Sequence, residues 1–491
     1  MKYYITTPLY YVNDEPHIGH AYTNIAADTV ARYKRLKGFD LFFLTGTDEH
    51  GQKIEREAVK RGIAPQDLAD QMVERFKELW KRLSISYTDF IRTTQQRHIE
   101  AAKELFKRIY ERGDIYKGRY EGPYCVPCES YVKEKICPSC KRECEIVSEE
   151  TYFFKLSSYK ERLISMVEKG ELSIEPGNRR IEMQNIIEDG MSDVSITRST
   201  FSWGIPVPIE GAKDIIYVWF EALINYISGI GYPKDKEVFE RYWPADLHLV
   251  GKDIMRFHTI LWPAMLISAD ISPPKRVFGH GWWTVDGEKM SKSKGNVVNP
   301  FEMTDEVGTD GLRYFLLREV PFGSDGDFSK KALVHRLNGD LANDLGNLVF
   351  RVIKMAERYL KNRVPDRADG EGLREIAIET AESVDKDMED LMFHIYLEKV
   401  WRFIRECNRY VDYKKPWSLP KERRAPILYN LLESLRIIST LISPVTPNIA
   451  ESIAQQLGLS PSSFSLVDLE WGGMEPGEKV FVKAPVFMRI E

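Results

Sequence analysis

The 491-residue chain is long enough for two to four domains with sizeable cores, and its 43% hydrophobic and 29% charged content excludes the disordered and fibrous classes. A net charge of −5 gives no global nucleic-acid signature, so any such partner has to be held by local basic patches. No apolar run is read as approaching the ~20 residues that cross a membrane, and a strand-like start leaves no room for a signal peptide. A soluble cytoplasmic protein without a membrane partner is the expectation.

Lys2–Thr6 reads as a buried strand and Thr7–Pro16 as a turn. From Ile18 the apolar residues fall at helical spacing until Gly38, and Asp40–Thr45 is a second strand, which implies a parallel strand–helix–strand unit. The turn His17-Ile18-Gly19-His20 opens the helix. A helix start offers unpaired N–H groups suited to phosphate, glycine allows close approach, and imidazoles add hydrogen bonds. Taken alone, these four residues read more readily as an ordinary cap, His17, with a half-buried core histidine, His20. Thr45–Gln52 has glycines at Walker spacing, but Gln52 stands where that motif requires lysine, and no G-x-G-x-x-G occurs.

Helices are expected over 66–83 and 98–111, with a strand at Asp89–Arg92 between them. Over 116–150 the periodic pattern gives way to Cys, Pro and Lys. Cys125-x-x-Cys128 and Cys137-x-x-Cys140 are paired knuckles with the spacing of a closed, structural four-thiolate zinc site; Cys144 is a possible substitute for Cys140. Strands follow at Ile215–Val218, Leu247–Val250 and Val277–Phe278. Asp286-Gly287 signals a hairpin that leads into Lys289-Met290-Ser291-Lys292-Ser293, a loop with two lysines. From about Lys330 to Gln456 the pattern is helical, with an apolar stripe at Leu337, Leu341, Leu345, Leu348, Val352 and Tyr359 that reads as a bundle; Val364–Glu371 is linker-like.

His17–His20 and Lys289–Ser293, in that order and far apart, resemble the two signatures of class I aminoacyl-tRNA synthetases. The resemblance extends over nearly the whole chain and is closest to bacterial-type methionyl-tRNA synthetases. It is carried by Thr6–Tyr11, Thr45–Gly51, Tyr217–Phe220, Gly251–Ile254, His258, Trp262-Pro263-Ala264 and His280–Asn296. Glu221 departs from the aspartate usual in that family.

The resemblance implies an α/β fold: a Rossmann-like parallel-sheet catalytic domain with a zinc-binding insertion, followed by an all-α anticodon-binding bundle. The expected division is 1–115 and 151–285 for the catalytic and connective parts, 116–150 for the zinc insertion, 286–335 for the lysine-loop segment and 336–491 for the bundle.

It further implies methionine activation by ATP with magnesium, and transfer of the methionyl group to the 3′-terminal adenosine of tRNA(Met). His17, His20, Lys289 and Lys292 become catalytic. Asn13, Gly19, Gly251, Asp253, Gly279, His280, Gly281, Trp282 and Lys292 become ATP contacts. Leu9, Tyr11, Asp48, Arg198, Trp219, Ala222, Leu223, Tyr226, Ile254 and His258 would form the methionine pocket. Four of these, 219, 222, 223 and 226, share one face of a presumed single helix, which by periodicity alone is core. Asn343, Asn347, Arg351 and Trp417 would meet the anticodon. The chain is expected to act as a monomer or beside a separate C-terminal tRNA-binding subunit. Rival readings are another class I synthetase, for which an editing insertion has no room, or a noncatalytic RNA-binding derivative.

Overall fold

The computed structural model describes residues 1–125, 130–132, 134–137, 141–285, 287–290, 296–467 and 469–491. Its strands are β1 (Lys2–Tyr11), β2 (Asp40–Asp48), β3 (Asp89–Arg92), β4 (Ile115–Cys125), β5 (Ser130–Tyr131), β6 (Glu145–Phe154), β7 (Ser173–Glu175), β8 (Val194–Ser195), β9 (Thr197–Arg198), β10 (Ile215–Ile216), β11 (Leu247–Gly251), β12 (Arg276–His280), β13 (Trp283–Val285), β14 (Glu288–Lys289) and β15 (Gly326–Asp327).

A six-stranded sheet in the order β3-β2-β1-β11-β12-β7 organises the first part of the chain, and all its pairings are parallel. The strand order reverses direction between β1 and β11. In open α/β sheets such a switch point leaves a crevice at the carboxyl ends of the strands, where ligands bind. The helix Ile18–Leu36 crosses from β1 to β2 and buries Ile18, Tyr22, Ile25 and Val30 against the sheet.

β1 runs five residues beyond the expected strand and includes Pro8, which has no N–H to donate. Its register against β2 shifts between Thr6 and Leu9, and that irregularity accommodates the proline in a central strand. The expected turn is therefore confined to the residues after Tyr11.

The insertion is built on β4, which pairs with β6 along its length in the sheet β5-β4-β6-β8. Cys125, Cys137 and Cys144 are buried together there, with Val132 packed on them. Cys128 and Cys140 lie outside the described residues. β13 and β14 pair as a hairpin, Val285 opposite Glu288, leading to the lysine segment, of which 291–295 lie outside the described residues.

The remainder is helical. Lys330–Leu337, a π-helical stretch Asn338–Gly346 and Asn347–Leu360 follow one another, and the expected stripe Leu337, Leu341, Leu345, Leu348 and Val352 is buried. The segment after Leu360 is non-helical as expected, and the C-terminal segment pins it: Val364 N–H donates to Glu478 O. Leu373–Glu389, Phe393–Lys414 and Lys421–Ile442 complete the bundle.

Lys421–Ile442 corrects the expectation on apolar runs. Among the described residues it is the one helix long and apolar enough to cross a membrane, but 83% of its apolar window is buried inside the protein. A bundle's central helix is apolar on every side for that reason.

Arg313, on the helix Pro300–Arg318, joins the two halves. It is fully buried, pairs with Asp28 at 2.8 Å and donates to the carbonyls of Leu83, Pro444 and Val445.

Candidate active site

The expected residues of the catalytic half converge on the crevice at the switch point. Leu9 and Tyr11 end β1, Asp48 ends β2, Gly251 ends β11, and Gly279 and His280 end β12. Asn13 lies in the turn after β1, and Asp253 and Ile254 form a short 3₁₀ turn after β11.

At the helix start the geometry corrects the expectation of unpaired N–H groups. His17 is the N-cap: Gly19 N–H donates to its Nδ1 at 3.1 Å, and His17 N–H donates to His20 Nδ1 at 3.2 Å. Ile18 N–H goes to Val298 O at 3.3 Å, while His20 and Ala21 donate to His17 O. The donors of the first turn are thus used within the protein. The imidazoles take over the role, because an imidazole accepting at Nδ1 carries its proton on Nε2.

The two rings stack at 3.7 Å between centroids. Burial, then His17, then Lys53 hold the His20 pKa well below its ordinary value, so His20 acts as a neutral donor and not as a charge. Gly19 is required here, since a Cβ would lie 2.9 Å from His17 Cε1.

His280 faces the same helix. Its Nδ1 donates to Gly281 O at 2.8 Å, so Nε2, 2.8 Å from Thr23 Oγ1, accepts. Burial depresses its pKa and keeps it neutral. Gly281 allows the backbone at Ser324 to pass where a Cβ would collide with the Ser324 carbonyl. Trp282 N–H donates to Asp325 Oδ1 at 2.8 Å and its indole N–H to Asp253 Oδ1 at 3.2 Å. Lys252 pairs with Asp325 and lies 4.2 Å above the Trp282 ring.

The face expected to line the methionine pocket is made by two short helices, Val218–Ala222 and Asn225–Ser228, and not by the single helix expected. At the break Ile224 N–H reaches back only three residues, to Glu221 O. The tighter winding is of 3₁₀ type. Ala222, Leu223 and Tyr226 are nonetheless buried, and the half-buried Trp219 stacks on Phe257 at 4.0 Å and meets Tyr11 edge-on at 6.2 Å.

His258 sits in a π-helical turn, Phe257–Leu261, a local widening that often marks a functional site. Its Nδ1 donates to Ile254 O at 2.9 Å, so its Nε2, 2.6 Å from the Tyr226 hydroxyl, accepts. Burial lowers its pKa to about 4.

Arg198 is buried. Its Nη1 donates to Thr197 O at 2.6 Å, and the guanidinium lies 4.2 Å from the centroid of the Tyr217 ring.

Several residues of this site are not singled out by the sequence. Thr23, Phe257 and His248 look like ordinary helix or strand positions. His248 is 2.7 Å from Thr6 Oγ1 across the β1–β11 pairing, and Trp262 donates to its other nitrogen. Cross-strand register is the information a single sequence lacks.

In the bundle, Asn343 and Asn347 are exposed and Arg351 is half-buried, bonded to Asp412 at 2.6 Å. Trp417 is 46% exposed on the turn Pro416–Ser418.

Among the described residues no group of three or more His, Cys, Asp or Glu is arranged to hold a metal. Cys125 and Cys137 nonetheless fit a thiolate site. Both are fully buried and share, with Cys144, a cluster that holds little besides cysteine.

Comparison with known proteins agrees with this geometry. The family model of tRNA synthetases class I (M) matches residues 3–147 and 137–353, and that of the anticodon-binding domain of tRNA ligase matches 373–478. The methionine–tRNA ligase of Caldanaerobacter subterraneus subsp. tengcongensis is 49% identical over 504 residues, covering 100% of this chain and 79% of the relative. That of Thermotoga maritima is 46% identical over 510 residues, covering 100% and 81%. Mycobacterium tuberculosis methionyl-tRNA synthetase in complex with methionyl-adenylate superposes with a TM-score of 0.96 at 41% identity over the whole of both chains. Its free state superposes with a TM-score of 0.89 at 38% identity, covering 100% of this chain and 99% of that one. The chain belongs to the class I tRNA synthetases of the methionine type.

Proposed function

We infer that the protein is a methionine–tRNA ligase. The observation that carries this reading is the convergence, at one switch-point crevice, of the His17–His20 turn, the ends of four strands and the Tyr226–His258 wall. The Ile18–Val298 bond supports it by tying that turn to the chain just beyond the lysine loop.

In this reading the methionine carboxylate oxygen attacks the α-phosphorus of ATP, and the bond to pyrophosphate breaks. The 2′-hydroxyl of the terminal adenosine of tRNA then attacks the methionyl carbonyl carbon, and AMP leaves. Catalysis is mostly positioning and stabilisation of developing charge. The Nε2–H groups of His17 and His20 donate to phosphate oxygens. Lys289 and Lys292 supply the positive charge that a neutral His20 lacks. Magnesium accompanies ATP and is held mainly by its phosphates.

Asn13, Gly19, Gly251, Asp253, Gly279, His280, Gly281 and Trp282 surround the nucleotide. The thioether meets Leu9, Tyr11, Trp219, Ala222, Leu223, Tyr226, Ile254 and His258, a wall of rings and aliphatic carbons that suits a polarizable sulfur. Asp48 receives the ammonium group, and Arg198 acts toward the carboxylate end. Cys125, Cys128, Cys137 and Cys140 would hold one structural zinc that fixes the 116–150 insertion; chelation with metal analysis is expected to release about one zinc per chain. Asn343, Asn347, Arg351 and Trp417 read the anticodon from the bundle, 336–491. The reading places the enzyme in the cytoplasm, as a monomer or with a separate tRNA-binding subunit.

The test is Lys292→Ala. Pyrophosphate exchange should slow by ~3–4 kcal/mol of transition-state stabilisation, with methionine affinity nearly unchanged. Equal loss of both would contradict the assignment.

A further inference from the structure

Behind the pocket wall lies a buried group of titratable side chains that adenylate formation does not use. Glu221 is fully buried between two imidazoles, with Oε1 2.7 Å from His50 Nδ1 and Oε2 3.3 Å from His98 Nε2. A carboxylate only accepts, so both imidazoles point a proton at it. The other nitrogen of His98 lies 3.0 Å from Ser228 Oγ.

These residues come from separate elements that the cluster joins. His50 lies two residues beyond Asp48, His98 is on the helix Gln96–Glu111, and Glu221 stands between Trp219 and Ala222. Ser228 closes the short helix that carries Tyr226.

Burial opposes charge on His50, but the Glu221 carboxylate, through its charge and hydrogen bond, and Glu49 outweigh it and raise the His50 pKa. Burial likewise opposes charge on Glu221, and His50 followed by His98 outweighs it and lowers the Glu221 pKa. Each group of the pair thus favours the charged form of the other. A buried ion pair is poor evidence for stability, since apolar residues of the same volume often serve as well; its better-attested use is to fix one arrangement of the elements it joins.

The helix Val218–Ala222 has five residues and cannot hold its own orientation by propensity. We propose that Glu221, held by His50 and His98, is a positioning residue. It fixes the wall formed by Trp219, Ala222 and Tyr226 relative to Asp48, so that the side chain and the ammonium group of methionine are gripped together. The proposal rests on the pocket reading above.

The test is Glu221→Gln, which keeps the shape and removes the charge, assayed by pyrophosphate exchange. The methionine KM should rise about tenfold, with the ATP KM and kcat changed by less than about threefold. Glu221→Asp, which restores the charge, should recover part of the loss. A far-downfield proton resonance of His50 Nδ1–H should be present in the native enzyme and absent in Glu221→Gln. If Glu221→Gln does not fold, His98→Gln removes only the longer contact and should show the same KM split.

Equal rises in both KM values, or a lower Tm with neither KM changed, would mark the cluster as merely structural and overturn the proposal. Trp219→Ala serves as the control. If it raises the methionine KM and Glu221→Gln does not, the positioning role fails alone. If Trp219→Ala leaves that KM unchanged, the pocket reading fails and the proposal with it.

Discussion

His17 and His20 spend Nδ1 inside their own turn, and Gly19 leaves room for the His17 ring to fold back. Gly19→Ala would push that ring out of the stack, because a Cβ would lie 2.9 Å from His17 Cε1. Exchange kcat should fall by about tenfold or more while the unfolding temperature barely moves, since a misplaced donor costs rate and not core packing. An unaltered kcat would contradict the proposed donation from His17 to phosphate.

A second prediction follows from the buried neutral histidines. The His258 pKa is about 4 in the fold, against about 6.5 for an unperturbed histidine. The unfolded chain therefore binds the extra proton first. The contribution of this group is intact above about pH 6.5 and lost as pH falls toward about pH 4, to the extent of about 3 kcal/mol. Urea unfolding at about pH 7 and about pH 4.5 should show the native enzyme losing more stability than His258→Gln. Equal losses would place His258 elsewhere.

The His17–His20 turn, Asp48 and Tyr226 were legible as residues. The protonation of His258 and His280 was not, because it depends on Ile254 O and Gly281 O, which only the folded chain brings near.

Among the elements, the strand Asp89–Arg92, the helix from Ile18 and the bundle stripe follow directly from periodicity, because burial on one face writes itself into spacing. β1 was read short because Pro8 is a poor strand residue, and the compensating register shift is a property of the pairing with β2. The pocket helix was read whole because a two-residue 3₁₀ break leaves the apolar spacing unchanged. No long apolar run was read at Lys421–Ile442 because Glu433 and Arg436 interrupt it, yet the helix is apolar enough on average to pass for a membrane span.

Arg313 is the tie between elements whose loss should cost most. Arg313→Met leaves Asp28 buried with one cation fewer and strips three carbonyls of their donor. Chemical denaturation should show a loss of about 3–5 kcal/mol; a loss below about 1 kcal/mol would show that the interface holds without it.

For the molecule as a whole, the catalytic crevice and the exposed Trp417 belong to different parts of the fold, and the account assigns them different steps. Trp417→Ala should weaken tRNA charging by ~1–3 kcal/mol, the worth of one base stacked on an aromatic ring, and leave pyrophosphate exchange intact. Loss of both activities would undo that division.

The most direct test of the central claim is pyrophosphate exchange into ATP by the purified enzyme, measured with each of the standard amino acids in turn. The account predicts exchange that depends on methionine and is weak or absent with the others. Exchange driven best by another amino acid, or none with methionine, would contradict it.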